Sequence, residues 1–128
     1  MKLVLATQYG DIHLLLHHDA LISKLKKKLP VKSVINTWGD EIYFELPLKI
    51  QLDAGAQDVV EPGTVCFWVE GNSLAIPFGP TPASVGNECR LVSRVNQVGK
   101  TITMLSDLAK LEDGDIVEIR ELLKSSTT

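Results

Sequence analysis

Glycines at 55, 63, 71 and 79 recur every eight residues, and Gly39 stands two such periods before the first of them. The stretches between them are unlike one another, so the pattern is not an internal repeat. It is the spacing of turns between short strands, which argues for a β-barrel or sandwich. The 128 residues fit one domain, with enough chain to bury a core without disulfide staples. The expected extent is one domain over residues 1–124, followed by a frayed tail at 125–128.

Leu3–Thr7 reads as a strand, Gln8–Asp11 as a turn, and alternation of Ile12, Leu14 and Leu16 with polar residues as the second arm of a hairpin. The period then changes. Leu21, Ile22, Leu25 and Leu29 fall on one helical face and lysines cover the other, which predicts a helix over Ala20–Leu29, capped by Asp19 and stopped by Pro30. Further strands are expected at Val34–Thr37, Glu41–Leu46, Gly63–Glu70, Ser73–Ile76, Leu91–Val98 and Asp115–Leu122. A short second helix is expected within Thr103–Leu111.

Lys and Arg number 13 and Asp and Glu 16, a formal charge of −3. That balance opposes sequence-independent nucleic-acid binding, which works by neutralising phosphates. The lysines at 24, 26, 27, 28 and 32 read as the solvated face of the helix. No apolar run reaches the ~20 residues of a membrane helix, and the opening run is too short for a signal peptide. The chain is expected to be cytoplasmic, with no membrane or nucleic-acid partner. Its oligomeric state is open, and a homodimer is compatible with the sequence.

Two cysteines outside any CxxC pair give neither a disulfide framework nor a zinc motif. Cys66 lies in an apolar run and reads as buried, whereas Cys89, after Asn87-Glu88, reads as the more exposed. His13, His17 and His18 lie near Asp11 and Asp19, but the strand spacing sets them too far apart for easy chelation. No metal or cofactor is expected. No nucleophile elbow, P-loop, dinucleotide fingerprint or HExxH is present.

Six of the seven aromatics fall between 38 and 78, and five of the six prolines between 47 and 82. Thr64–Glu70 is apolar on both faces, so a barrel strand there needs a cover over its outer face. The stiff stretch Leu74–Pro82, with prolines at 77, 80 and 82, is the expected cover. Aromatics beside a rigid loop can form a ligand groove or simply seal a barrel end. Glu41 and Glu45 share a strand face around Tyr43. Glu45 reads as solvated, and Glu41, after Trp38-Gly39-Asp40, is left open.

Thr7-x-x-Gly10-Asp11-Ile12, followed by apolar alternation and a helix, resembles the start of cyclophilins. Asn36–Phe44, then Trp68, then Ile76–Pro82 with Ser84, is similar to a family of small prokaryotic cyclophilin-like proteins of unassigned function. The resemblance implies a mainly β fold, a closed barrel of about eight strands with one or two short capping helices. Cyclophilins that isomerise prolyl bonds use an arginine and a following Phe-Met-x-Gln segment. The corresponding region here, Trp38–Leu46, is acidic and holds neither arginine nor glutamine.

The expected function is therefore a binding module for a small molecule or extended peptide. Its groove would use Trp38, Glu41, Tyr43, Phe44, Trp68, Phe78, Pro80 and Thr81, with Asn72 and Ser84 as polar anchors. An acidic group among aromatics favours a cationic or hydrogen-bond-donating ligand. The alternatives are a peptidyl-prolyl cis-trans isomerase, which the missing arginine disfavours, and a hydrolase or hydrolase-associated subunit using Glu41 or Ser84. Catalytic residues are unassigned.

Overall fold

The computed structural model describes residues 1–123. Ten strands and two helices follow the order β1 (Lys2–Thr7), β2 (Gly10–Leu16), α1 (Asp19–Lys26), β3 (Val31–Val34), β4 (Asn36–Thr37), β5 (Glu41–Glu45), β6 (Gln57–Val60), β7 (Thr64–Trp68), β8 (Ser73–Pro77), β9 (Cys89–Thr101), α2 (Leu105–Leu108) and β10 (Ile116–Glu121). The opening hairpin lies where alternation places it, with Leu5 opposite Ile12 and Leu3 opposite Leu14. Main-chain pairing runs β3-β10-β1-β2-β9-β7-β8-β5-β4, antiparallel throughout. The wall is nearly closed: the Ser33 hydroxyl of β3 donates to the Glu45 carbonyl of β5 at 2.7 Å across the seam. A sheet curled this far leaves little unpaired edge.

Alternation sorts the side chains of the wall. Ile42 and Phe44 of β5, Val65 and Phe67 of β7, and Leu74 and Ile76 of β8 point inward to one core. Leu3, Leu5, Leu14, Leu16, Val117 and Ile119 join them from β1, β2 and β10, and Leu21 and Leu25 of α1 plug one end. Among the described residues no helix is long and apolar enough to cross a membrane.

Several local expectations are corrected. The helix begins one residue early and ends at Lys26, and its N-cap is His18, whose Nδ1 accepts from the Leu21 amide at 3.2 Å. His18 thereby serves the helix, and its Nε2 also meets Asp53 at 2.9 Å. The strand foreseen at Val34–Thr37 is two short strands around the buried Ile35. The second helix is a single turn, Leu105–Leu108. The Gln57–Val60 strand was not foreseen, because its polar Gln57-Asp58 start hides the alternation. Among the described residues the cis peptide bond precedes Pro30. The frayed tail expected at 125–128 lies outside the described residues.

The cover over β7 also differs from expectation. Both faces of β7 are covered, but the proline-rich stretch does not lie over the outer one. Ser73–Pro77 is itself wall, each residue paired with β5. The outer face carries a second apolar cluster of Val60, Cys66, Ala75, Cys89, Leu91 and Val95, with Tyr43 and Trp68 packed against it. The 13-residue β9 makes this possible. Its second half belongs to the wall, while its first half pairs with β6 and folds over the outside as a two-stranded flap. Cys89, the first residue of β9, turns its side chain into the second cluster and is 2% exposed, so its expected exposure is overturned.

Candidate functional site

The outward alternation that excludes Glu41, Tyr43, Cys66, Trp68 and Ala75 from the barrel core brings them together on its outer wall. Tyr43 lies opposite Ala75, and Ala75 opposite Cys66; Glu41 lies opposite Pro77, and Trp68 opposite Ser73. Ala75 and Cys66 are small, so they form a low floor between larger side chains. Above it is a recess of about 160 Å³ lined by Trp38, Glu41, Tyr43, Trp68 and Val92. Tyr43 and Trp68 meet edge to face, the arrangement that aromatic quadrupoles favour. A β-carbon on Gly71 would stand 2.3 Å from the Trp68 ring. The absence of a side chain there is what lets the indole fold back over the turn.

Two interlocked segments hold the mouth of the recess. The turn Trp38–Asp40 packs against Phe78–Pro82: the Asp40 amide donates to the Pro80 carbonyl at 2.9 Å, and the Phe78 amide donates to the Asp40 carbonyl at 2.8 Å. The Trp38 amide donates to the Glu41 carbonyl at 3.0 Å, which closes the turn that presents the indole.

Glu41 is the chemically distinctive member. It is 5% exposed, and its Oε1 is one of two buried side-chain oxygens without a partner among the described residues. Burial raises its pKa to about 7, with no neighbouring cation to offset that cost. The Cys66 thiol is pushed above its usual range, chiefly by burial and then by the Glu41 and Cys89 charges. Cys89 is raised by burial and by Glu61, Asp40 and Glu41. Both thiols are therefore held in the neutral form, which is a poor nucleophile.

The candidate groove residues separate into groups. Trp38, Glu41, Tyr43 and Trp68 converge on the recess. Phe44 does not: its side chain points inward and is fully buried in the barrel core, because it alternates with Tyr43. Phe78 also packs against that core, and Pro80 is exposed on the interlocking loop. Asn72 occupies the β7–β8 turn with a left-handed backbone and borders a different recess, shared with Lys24 and Lys49.

Thr81 and Ser84 satisfy each other and the flap. The Thr81 and Arg90 amides both donate to Ser84 Oγ, at 2.9 and 3.2 Å, and the Thr81 hydroxyl donates to the Arg90 carbonyl. Val92, 62% exposed on the flap, was missed because nothing in the sequence announces that β9 doubles back over the aromatics.

Arginine does not line the recess. Arg90 is held by Asp58 at 2.6 Å and Glu88 at 2.8 Å, and Arg120 pairs with Glu118. Among the described residues no three His, Cys, Asp or Glu side chains gather as metal ligands would.

A nearly closed antiparallel barrel with short capping helices is the architecture of a cyclophilin-like protein. The sequence model of the family described as Cyclophilin-like matches residues 1–120, and the chain belongs to that family. It is similar to the solution structure of the hypothetical protein AF2241 from Archaeoglobus fulgidus, with 30% identity, a TM-score of 0.81 and 95% of each chain covered. It also shares its fold with McbB, solved in complex with tryptophan, at 17% identity and a TM-score of 0.69. That match covers 98% of this chain and 46% of the McbB chain. No curated protein matches the sequence.

Proposed function

We propose that the protein is a binding module that takes a small molecule, or one side chain of an extended peptide, in the recess around Glu41. The observation that carries this reading is the Glu41 carboxyl, buried without a partner where three aromatic rings leave an opening. A buried unsatisfied carboxyl costs stability, and a ligand that hydrogen-bonds to it offsets the cost. The recess holds roughly five water-sized groups, which suits a side-chain-sized head group rather than a large cofactor. That the fold relative McbB was solved with tryptophan makes amino acids a reasonable first panel.

Prolyl isomerisation is the weaker reading, because it needs a donor to the prolyl nitrogen and no arginine lines the recess. Hydrolysis is weaker still. The Ser84 hydroxyl belongs to the loop network, and the buried thiols are held protonated.

The two tryptophans, Trp38 and Trp68, both line the recess, so intrinsic fluorescence reports on it directly. A fragment and amino-acid panel followed by fluorescence and by indole N–H resonances should show ligands that move both signals. Ligands that shift only the residues bordering the Lys24–Asn72 recess, or the seam between β3 and β5, would refute the assignment.

A further inference from the structure

We propose that the recess is an ammonium site. A primary ammonium, carried by a free amine or by a lysine side chain of a peptide, donates to the Glu41 carboxylate while its methylenes lie against Trp38, Tyr43 and Trp68. The inference rests on the binding reading above and names the chemistry of the ligand.

Three observations converge on it. The Glu41 carboxyl is nine-tenths buried, has an oxygen with no partner, and lines an open cavity. A head group with several N–H donors supplies what that oxygen lacks, and a charge-assisted bond is about twice as strong as a neutral one. Three of the five lining residues are aromatic, and a desolvated cation seated over a ring face is attracted by its quadrupole.

Glu41 is the one charged residue that lines the recess, and the charges acting on the thiols beside it are acidic. Asp40 adjoins Glu41, Asp40 and Glu61 act on Cys89, and Glu41 acts on both thiols. Of the two flap cations, Arg90 is already committed to Asp58 and Glu88, and Arg94 is exposed to solvent and does not line the recess. Ammonium is the positive charge the site lacks. A ligand whose only charge is a carboxylate would meet the like charge of Glu41, and a neutral one would leave the buried carboxylate uncompensated.

The test uses the whole protein and four probes: n-butylammonium, n-butanol, tetramethylammonium, and a lysine tripeptide blocked at both termini. Binding is read from Trp38 and Trp68 fluorescence and indole resonances at pH 8. n-Butylammonium is expected to bind at least about tenfold more tightly than n-butanol and than tetramethylammonium, which is cationic but has no N–H to donate. Its affinity should fall as the pH is lowered from 8 to 6, because protonating Glu41 removes the acceptor while the amine stays charged. Glu41→Gln should abolish the preference over n-butanol. The blocked peptide separates the sources: equal or tighter binding than n-butylammonium assigns the site to a lysine side chain, and its exclusion assigns the site to small amines.

n-Butanol or tetramethylammonium binding as well as the amine would overturn the ammonium assignment and leave the recess as a binding site. That comparison is made on the unaltered protein and does not depend on the variant folding. Failure of all four probes to move either tryptophan would overturn the ammonium assignment and count against the recess itself.

Discussion

The Tyr43 and Trp68 rings stand 5.9 Å apart between centroids, with their planes at 87°. They come from strands that do not pair with each other, and they meet only because Ala75 of the intervening strand is too small to separate them. The contact lies on the outer wall, so it joins the recess to the second apolar cluster rather than to the barrel core.

The pair should be energetically coupled. Edge-to-face pairs contribute ~0.5–1.5 kcal/mol beyond their buried area. In a double-mutant cycle of Tyr43→Leu and Trp68→Leu, followed by urea unfolding, the two losses should fail to add by about 1 kcal/mol. Strict additivity would show that each ring packs on the flap independently.

Gly39 tests the interlock at the mouth. Gly39 and Gly86 both have left-handed backbones, at φ +59° and +64°. A β-carbon at Gly86 meets open space, whereas one at Gly39 would stand 2.9 Å from Pro82 Cδ and from the Thr81 Cα. Gly86→Ala should therefore cost only the backbone penalty, about 1 kcal/mol. Gly39→Ala should cost that and roughly 1–3 kcal/mol more, since backbone rather than a flexible tip must move. Comparing denaturation midpoints of the two variants isolates the interlock, and equal midpoints would refute it.

Glu41 sets a pH dependence with a definite sign. Its pKa rises from 4.5 to about 7 on folding, so the folded state holds the proton more tightly than the unfolded chain. The contribution is fully present below about pH 4.5 and is lost as pH rises to about 7, above which it is flat. Glu41→Gln keeps the shape and removes the titration. The variant should be more stable than the unaltered protein above pH 7, by on the order of 2 kcal/mol, and the gap should close toward pH 5. Urea unfolding at pH 5, 6, 7 and 8 checks this, and a gap that does not vary with pH would locate the effect in packing.

The barrel was legible because its evidence is periodic. Leu3 and Leu5, and Ile12, Leu14 and Leu16, declare an inner face by alternation alone. Four of the recess residues were legible for a weaker reason, as aromatics and an acid crowded into one stretch. Phe44 was misplaced because an aromatic in that crowd is equally suited to either face, and only the register with Leu74 decides. The flap was not legible at all. β9 reads as one strand whether it stays in the wall or leaves it, and the shift of partner from β7 to β6 depends on residues 29 or more positions away. Cys89 and Val92 were misjudged or missed for that reason.

Ser84 separates an anchor of the flap from an anchor of the ligand. Its hydroxyl oxygen accepts from the Thr81 and Arg90 amides, and the neighbouring Thr81 hydroxyl reaches the Arg90 carbonyl, so this knot ties the proline-rich loop to the start of β9. Ser84→Ala leaves two amide donors without their acceptor, which should cost about 1–3 kcal/mol. The loss should be local before it is global: the amides of Arg90 and Leu91 should exchange faster with solvent, while those of the β1–β2 hairpin keep their protection at early times. Ligand affinity measured by tryptophan fluorescence should change by less than about threefold, because the hydroxyl does not line the recess. Loss of binding with unchanged exchange at Arg90 would instead make Ser84 a ligand contact, and would move the binding site from the wall of the barrel to its loop.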